Sequence, residues 1–290
     1  APAPARAGGA SPPAPVLIVG GGPAGLECAR ILAGAGWPVR LVEASDRLGG
    51  ALARAAVGWG RSTLSAASDW LAGAVHDAGV AVAVGVRLSA ADVSAAQASG
   101  AVVVLATGGR PETERYADSP LPVFDPLSVL GDPSVLPAGP VAVVDTVGDQ
   151  VGVNLAEWLA SSHGRSVTFI CPDPVAGTQL ARAGDLADAN GRLQRAGVQR
   201  ELRRLVRAIT AEGVSVEDCW TGAAAVVAAN SVVDCGHRLP EDRLYSELRD
   251  PSIIRIGDCV APRSLLEAVL EGRRAALRLI GSPAMAGAHG

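Results

Sequence analysis

Residues 16–27 read VLIVGGGPAGLE, an apolar run that ends in glycines and continues into a helical pattern. Gly20-x-Gly22-x-x-Gly25 therefore follows a predicted strand and opens a predicted helix. We expect Gly20 to permit the tight turn, Gly22 to let the backbone approach a pyrophosphate, and Gly25 to allow close helix–strand packing. The N-terminus of the helix would then face the phosphates.

An acidic residue completes this pattern. VRLVEAS (residues 39–45) predicts a second strand, and Glu43 stands at its end. A carboxylate at this position binds a ribose 2′-hydroxyl and disfavours a 2′-phosphate. The two strands, the helix and Glu43 together predict a site for an adenosine diphosphate group.

The composition indicates a globular protein. The chain has 290 residues, 49% of them hydrophobic and 19% charged, which is enough for two ordinary domains. A net charge of -4 gives no basic footprint for nucleic acid, and no apolar run reaches membrane-spanning length. Residues 1–14 lack the apolar core of a secretion signal and predict a Pro/Ala-rich linker. We expect a cytoplasmic protein with neither a nucleic acid nor a membrane as partner.

Several kinds of catalytic centre are excluded. All 25 basic residues are arginine, which excludes a Schiff-base lysine and a P-loop lysine. The five cysteines contain no C-x-x-C pair, and the four histidines occur in unrelated contexts. We therefore predict no metal site, no iron–sulfur cluster and no redox dithiol. No nucleophile–base arrangement stands out, so no catalytic residue is assigned.

A second strand–helix–strand pattern begins at Val141. VAVVD predicts a strand, Val153–Ser162 a helix, and SVTFICP (residues 166–172) another strand. The Pro-rich passage from Pro111 to Pro140 indicates a crossing between domains. The other predicted elements are helices at 65–79, 187–207 and 264–280, and strands at 80–88, 101–109, 208–217, 222–234 and 252–258.

The motifs taken together resemble the two-dinucleotide-binding-domain flavoproteins. Residues 43–50 (EASDRLGG) are similar to the stretch that follows the ribose-binding acid in that family. Residues 106–111 (ATGGRP) are similar to its exit motif, residues 236–242 (GHRLPED) to its return motif, and Ile256-Gly257-Asp258 to its late motif. The resemblance implies an α/β fold like that of glutathione reductase, with two Rossmann-like domains and the second inserted into the first.

The same resemblance implies domain limits and cofactor contacts. Residues 15–118 and 243–290 would form the FAD- or ADP-binding domain, and residues 119–242 the inserted NAD(P)-binding-like domain. Asp258 would hold the ribityl or pyrophosphate part of FAD. The implied cofactor-binding residues are Gly20, Gly22, Pro23, Ala24, Gly25, Glu43, Ala44, Arg47, Gly49, Gly50, Leu88, Ala106, Thr107, Gly108, Gly257, Asp258 and Ala268.

One branch of the family fits best. GDCVAPRSLLEAVLEGRRAA (residues 257–276) resembles the C-terminal portion of the trimethylamine dehydrogenase and 2,4-dienoyl-CoA reductase group. Those enzymes are longer and begin with an old-yellow-enzyme-like FMN barrel and an iron–sulfur cluster. The resemblance therefore implies a module that works with such a subunit or domain. Some members of the group hold only ADP in the flavin domain, so FAD and ADP both stay open.

The turn of the second pattern lacks the expected glycines. In VAVVDTVGDQVGVNLAE (residues 141–157), Asp145-Thr146-Val147 stands where a nicotinamide site needs glycine. The turn is about two residues longer than the usual one, and carboxylates of Asp145 and Asp149 would lie close to a pyrophosphate. We therefore expect no NAD(P) site here.

Three functions are compatible with these patterns. The first is a FAD-binding oxidoreductase subunit that exchanges electrons with a partner FMN/iron–sulfur subunit and an external electron carrier. The second is a non-catalytic ADP-binding module of an amine-dehydrogenase-like complex. The third is a NAD(P)H-dependent flavin reductase, which the Asp145 turn disfavours.

Overall fold

The structure is a computed structural model that describes residues 13–57, 62–112 and 116–282. All but two residues of the predicted N-terminal linker lie outside these ranges. Among the described residues, no helix combines the length and apolar character needed to cross a bilayer.

The chain divides into two compact units. The first contains the described residues up to Ala56, then 62–110, and those from Arg238 onward; the second contains Val57 and residues 111–237. The unit boundaries therefore precede the predicted domain limits by a few residues. The reason is a short antiparallel pair of strands, β5 (Gly109–Arg110) with β14 (Leu239–Pro240). Because these strands pair, the chain segments that leave and re-enter the first unit both belong to it up to this point.

Elements are numbered along the whole chain. Those of the first unit, besides β5 and β14, are β1 (Val16–Val19), α1 (Pro23–Gly34), β2 (Val39–Val42), α2 (Gly50–Ala55), α3 (Ser62–Asp77), β3 (Ala81–Ala83), α4 (Ala90–Ala98), β4 (Val102–Leu105), α8 (Arg243–Leu248), β15 (Ile254–Arg255) and α9 (Leu265–Gly281). Parallel pairing gives the strand order β15-β4-β1-β2-β3. β1 and β4 are buried over their whole length, as expected for central strands of a parallel sheet covered on both faces.

The second unit repeats the plan and adds a small antiparallel sheet. Its elements are β6 (Val123–Phe124), α5 (Pro126–Gly131), β7 (Val141–Val144), α6 (Gln150–His163), β8 (Val167–Ile170), α7 (Leu186–Arg195), β9 (Gln199–Glu201), β10 (Arg204–Thr210), β11 (Gly213–Asp218), β12 (Ala224–Ala228) and β13 (Ser231–Asp234). The parallel sheet has the order β6-β13-β7-β8-β9, and β10, β11 and β12 pair antiparallel. Val214 and Val216 of β11 share a buried cluster with Val144 and Ile170 of the parallel sheet. The predicted fold class, two Rossmann-like domains with the second inserted into the first, is confirmed.

Several predicted elements are wrong in extent. The helix predicted over 187–207 ends at Arg195, because Gly197 has a φ of +75° and the chain continues into β9 and β10. The strand predicted over 80–88 contains only β3, since Gly85 has a φ of +70°. The Pro-rich passage is more than a crossing, because it contains β6 and α5. The short helices α2 and α4 were missed, although Ser89 and Asp92 form a capping box at the start of α4.

Candidate functional site

Two glycines of the first turn are closed in by backbone. Gly20 has a φ of +113°, and a Cβ added to it would overlap the carbonyl oxygen of Ala106. A Cβ on Gly25 would overlap the carbonyl oxygen of Gly20. A side chain at either position would therefore push α1 away from the ends of β1 and β4. Gly20, Gly25 and Ala106 together fix the start of α1 above the sheet.

The third glycine of the turn, Gly22, faces open space. It is the N-cap of α1 with a φ of -78°, and a Cβ there would meet no atom within 4 Å. No side chain caps this helix, and Pro23 at its start has no N–H to satisfy. The start of α1, with the positive end of the helix dipole, thus borders free volume at Gly22. This arrangement fits a diphosphate.

Glu43 closes the side of this turn. One carboxylate oxygen (Oε2) accepts a hydrogen bond of 2.6 Å from the Gly21 N–H. The other (Oε1) accepts bonds of 2.7 Å from the backbone N–H and the hydroxyl of Ser45. A carboxylate has about four acceptor sites, so these three bonds orient Glu43 and leave acceptor capacity for a ribose hydroxyl.

The segment after Glu43 supports the turn from outside. Gly49 has a φ of +104° and donates its N–H to the Gly21 carbonyl over 2.8 Å. A Cβ on Gly50 would lie 3.0 Å from the Gly22 Cα, so α2 begins directly against the turn. Ala44 and Arg47 are exposed beside it.

Residues 106–108 lie next to the glycine turn, and Thr107 and Gly108 form hydrogen bonds with Glu241 of the return motif. Ala106 donates its N–H to Val19 over 2.8 Å, which continues the pairing of β4 with β1. The Thr107 hydroxyl donates to the Glu241 carbonyl over 2.6 Å, and the Glu241 N–H donates to the Gly108 carbonyl over 2.9 Å. The exit and return motifs are therefore bonded to each other.

The late motif meets the first turn from the other side. Gly257 has a φ of +70°, a Cβ on it would lie 2.8 Å from the Ala24 Cβ, and its N–H donates to Glu271 over 2.7 Å. Burial raises the pKa of the neighbouring Asp258, while a backbone bond from Arg263 and the charges of Arg238 and Arg263 oppose this. Arg263 also forms an ion pair with Glu271. The Gly257–Asp258 turn is thus anchored on α9.

Sequence reasoning missed the residue that brings α9 to the site. A Cβ on Gly272 would overlap the Ala24 carbonyl oxygen, so the backbones of α9 and α1 are in direct contact there. The available signal was a lone glycine in the middle of a helical pattern. Leu88 and Ala268 are partly buried and pack against two separate hydrophobic clusters of the first unit.

The corresponding turn of the second unit is built differently. The N-cap stands three residues past the strand in the first turn (Val19 to Gly22) and five in the second (Val144 to Asp149), so the second turn is two residues longer. Gly152 keeps the close packing seen at Gly25, since a Cβ on it would lie 2.9 Å from the Asp145 Cγ. The first glycine of the pattern is replaced by Asp145.

Asp145 is 0% exposed and bonds to its own turn. Its Oδ1 accepts hydrogen bonds from the N–H groups of Val147 (3.0 Å) and Gly148 (2.8 Å), while its Oδ2 has no hydrogen-bond partner. Burial raises the pKa of this carboxyl to about 7; the hydrogen bonds from Gly148 and Val147 lower it, and the charges of Asp149 and Asp173 raise it further. Asp145 thus directly follows β7, at the strand end where it was predicted, and its carboxyl points into the protein.

Asp149 occupies the start of α6. Its carboxylate accepts the Val151 N–H over 2.7 Å and caps the helix, and burial raises its pKa. Asp145 thus binds N–H groups of the turn before α6, and Asp149 caps a helix start that has no such side-chain cap in α1. The described residues contain no cluster of acidic, histidine and cysteine side chains arranged to hold a metal ion.

The family model described as pyridine nucleotide-disulphide oxidoreductase matches residues 6–125. In a search of curated proteins, N,N-dimethylglycine/sarcosine dehydrogenase from Chromohalobacter salexigens is 25% identical, over 89% of this chain and 43% of the relative.

Two solved structures are also similar. Histamine dehydrogenase from Rhizobium sp. 4-9 superposes with a TM-score of 0.85 and 26% identity, over 96% of this chain and 45% of that chain. The 6-hydroxypseudooxynicotine amine oxidase from Pseudomonas geniculata N1 superposes with a TM-score of 0.83 and 28% identity. The match covers 93% of this chain and 43% of that chain. The chain resembles the FAD-binding module of the trimethylamine dehydrogenase and dienoyl-CoA reductase group. It spans less than half the length of these relatives.

Proposed function

We propose that the chain is a FAD-binding oxidoreductase subunit that passes electrons to or from a partner FMN/iron–sulfur dehydrogenase subunit or domain. The observation that carries this proposal is the open, uncapped start of α1 at Gly22, flanked by the oriented Glu43 carboxylate. Bound FAD would supply the redox chemistry. The chain supplies the binding and the orientation.

Each part of the cradle has its own role in this proposal. The α1 N-terminus binds the diphosphate, Glu43 accepts from the ribose, and Asp258 on its anchored turn binds the ribityl part. Arg238 and Arg263 offset the negative charge around Asp258. The bonds between residues 107–108 and Glu241 hold the crossing segments in place beside the site.

The second unit acts as a scaffold without a nicotinamide site. A dinucleotide would need free N–H groups at the turn and at the start of α6. Asp145 already accepts the N–H groups of Val147 and Gly148, and Asp149 accepts that of Val151. An incoming diphosphate would also meet the Asp149 carboxylate at the N-cap, which is unfavourable. This geometry argues against a NAD(P)H-dependent flavin reductase.

A second candidate function is a non-catalytic ADP-binding module. The Gly20–Gly25 turn and Glu43 would contact only the ADP half of FAD, so the features that support nucleotide binding most directly serve both ligands equally. The anchored Asp258 favours FAD, because an ADP would leave this half-buried carboxyl without a ligand.

The proposed partner follows from the length of the relatives. The chain matches 43% of the curated dehydrogenase and 45% of the histamine dehydrogenase structure, so further polypeptide accompanies this module in both. Both names state amine substrates, and we infer an amine as the substrate class of the complete system. The amine would bind to the partner and not to this chain.

The visible spectrum of the purified chain tests the cofactor. We expect flavin absorption bands, and FAD in the mass spectrum of the nucleotide released on denaturation. ADP without flavin bands would contradict the FAD proposal and support the second function. Rapid anaerobic bleaching of the bound flavin by NADH or NADPH would contradict the scaffold role of the second unit.

Activity assays test the need for a partner. We expect the chain alone to oxidise no amine and to reduce no enoyl substrate. Turnover by the isolated chain, at rates typical of enzymes (about 1 s⁻¹ or more), would contradict a role that depends on a partner.

A further inference from the structure

A cavity separate from the nucleotide cradle lies beside the outer edge of the first sheet. It has a volume of about 490 Å³ and lies between β15 and the second half of α9. β15 is an edge strand, so this side of the sheet is not covered by another strand. None of the residues implied for nucleotide binding lines the cavity.

Three arginines line this cavity. Arg274 and Arg278 are one helical turn apart on α9, and Arg255 lies on β15. The guanidinium of Arg255 stacks on the Tyr245 ring, 3.9 Å from its centroid, which restricts its position. Within the described residues, no carboxylate forms an ion pair with any of the three.

The remaining lining explains why the three charges are not cancelled locally. The floor is apolar and contains Ile254, Ile256 and Leu279. The one acidic lining residue, Glu271, already accepts the Gly257 N–H and pairs with Arg263. An uncompensated cluster of this kind is notable in a chain whose net charge is -4.

We propose that this cavity, the β15–α9 cavity, binds a small organic anion that carries phosphate or carboxylate groups on an apolar body. Its volume falls within the range of small-molecule sites, and an apolar floor with a few charged groups is typical of them. Guanidinium groups bind both phosphate and carboxylate in a bidentate manner. The site is independent of the nucleotide function proposed above.

Calorimetric titration of the chain saturated with ADP tests this site. The probes are phenyl phosphate and phthalate, which differ in the anionic group but share an aromatic body. We expect saturable binding of one probe or both to one site per chain, weakened by added salt. The stronger probe identifies whether phosphate or carboxylate is the preferred group.

Matched variants assign the binding to the cavity. Arg274→Gln with Arg278→Gln should weaken the binding about tenfold or more, since a hydrogen-bonded charge is lost at each position. Arg40→Gln with Arg87→Gln removes the same number of charges from exposed positions outside the cavity and should leave the binding unchanged. Arg274→Lys with Arg278→Lys should give an intermediate affinity.

Two outcomes would overturn the proposal. One is the absence of saturable binding for both probes; the other is an equal loss in the two glutamine double variants. Nucleotide content, measured on the same samples, separates this test from that of the FAD proposal, because these arginines do not contact the cradle.

Discussion

Gly22 and Gly25 stand three residues apart in the same turn but have different surroundings. Gly25 is closed in by the backbone of Gly20, whereas the position of a Cβ on Gly22 is empty. Gly25 is needed for packing, and Gly22 is needed for access. A methyl group added at the two positions therefore has different consequences.

The variant Gly22→Ala should lose nucleotide affinity while it keeps its fold. The added methyl enters the volume assigned to the diphosphate, and the φ of -78° is accessible to alanine. We expect ADP affinity to fall at least about tenfold, with a stability loss of about 1 kcal/mol or less from the poorer N-cap. Calorimetry and urea unfolding measure the two effects.

Gly34→Ala is the matched control for this variant. Gly34 lies in the last turn of the same helix, and a Cβ there meets no atom within 4 Å. We expect unchanged ADP affinity and equal or higher stability. Unchanged ADP affinity in Gly22→Ala would contradict the position assigned to the diphosphate.

Asp145 should make the stability of the protein depend on pH. Its folded pKa of about 7 is raised above the ordinary value of 3.8, so the folded state holds the proton more tightly. Its contribution to stability is then fully present below about pH 4 and is lost as the pH rises through about 7. Urea unfolding from pH 4 to pH 8 should show this decrease.

The variant Asp145→Asn should flatten that profile, because an amide does not titrate and its oxygen can still accept the Val147 and Gly148 N–H groups. Asp69→Asn, at an exposed position of α3, is the control and should retain the wild-type slope. The same slope in Asp145→Asn as in the wild type would show that another group causes the dependence.

At the scale of elements, the contact of α9 with α1 connects packing to the site. Gly272 brings the α9 backbone against Ala24, and the preceding Glu271 bonds to the Gly257 N–H. Gly272→Ala should force the helices apart and cost about 1–3 kcal/mol of unfolding free energy, as overpacking does.

The same variant should also weaken nucleotide binding, because the added methyl would push against the Ala24 carbonyl in the first turn of α1, whose start is proposed to bind the diphosphate. Gly281→Ala, at the other end of the helix, is the control, since a Cβ there meets no atom within 4 Å. Urea unfolding with ADP titration would contradict the proposed coupling if Gly272→Ala matched Gly281→Ala in both measurements.

Elements were predictable from the sequence where local pattern and fold agree. The glycine turn and Glu43 required no tertiary information, since glycine spacing and the following strand are local signals. The helix predicted over 187–207 failed because its second half pairs as strands β9 and β10, which depends on distant partners.

The direction of a buried side chain was also beyond the sequence. Asp145 was predicted at the correct turn, but its inward orientation depends on free N–H groups at Val147 and Gly148 and on the space left by Gly152. The β15–α9 cavity joins arginines from two segments, so no single stretch of sequence contains its signal.

At the scale of the molecule, the two units of one fold differ at the start of the helix that follows the glycine-type turn. In the first, α1 is uncapped and borders open space; in the second, α6 is capped by Asp149 and its turn is bonded to Asp145. We therefore expect one nucleotide per chain. Fold and nucleotide binding are thus separable within this architecture.

Counting the nucleotide sites tests this central claim most directly. Calorimetric titration of the nucleotide-free chain with ADP should give one equivalent per chain, and Gly22→Ala should remove it. Two equivalents in the wild type, or one equivalent that survives in Gly22→Ala, would contradict the assignment of the only nucleotide site to the first unit.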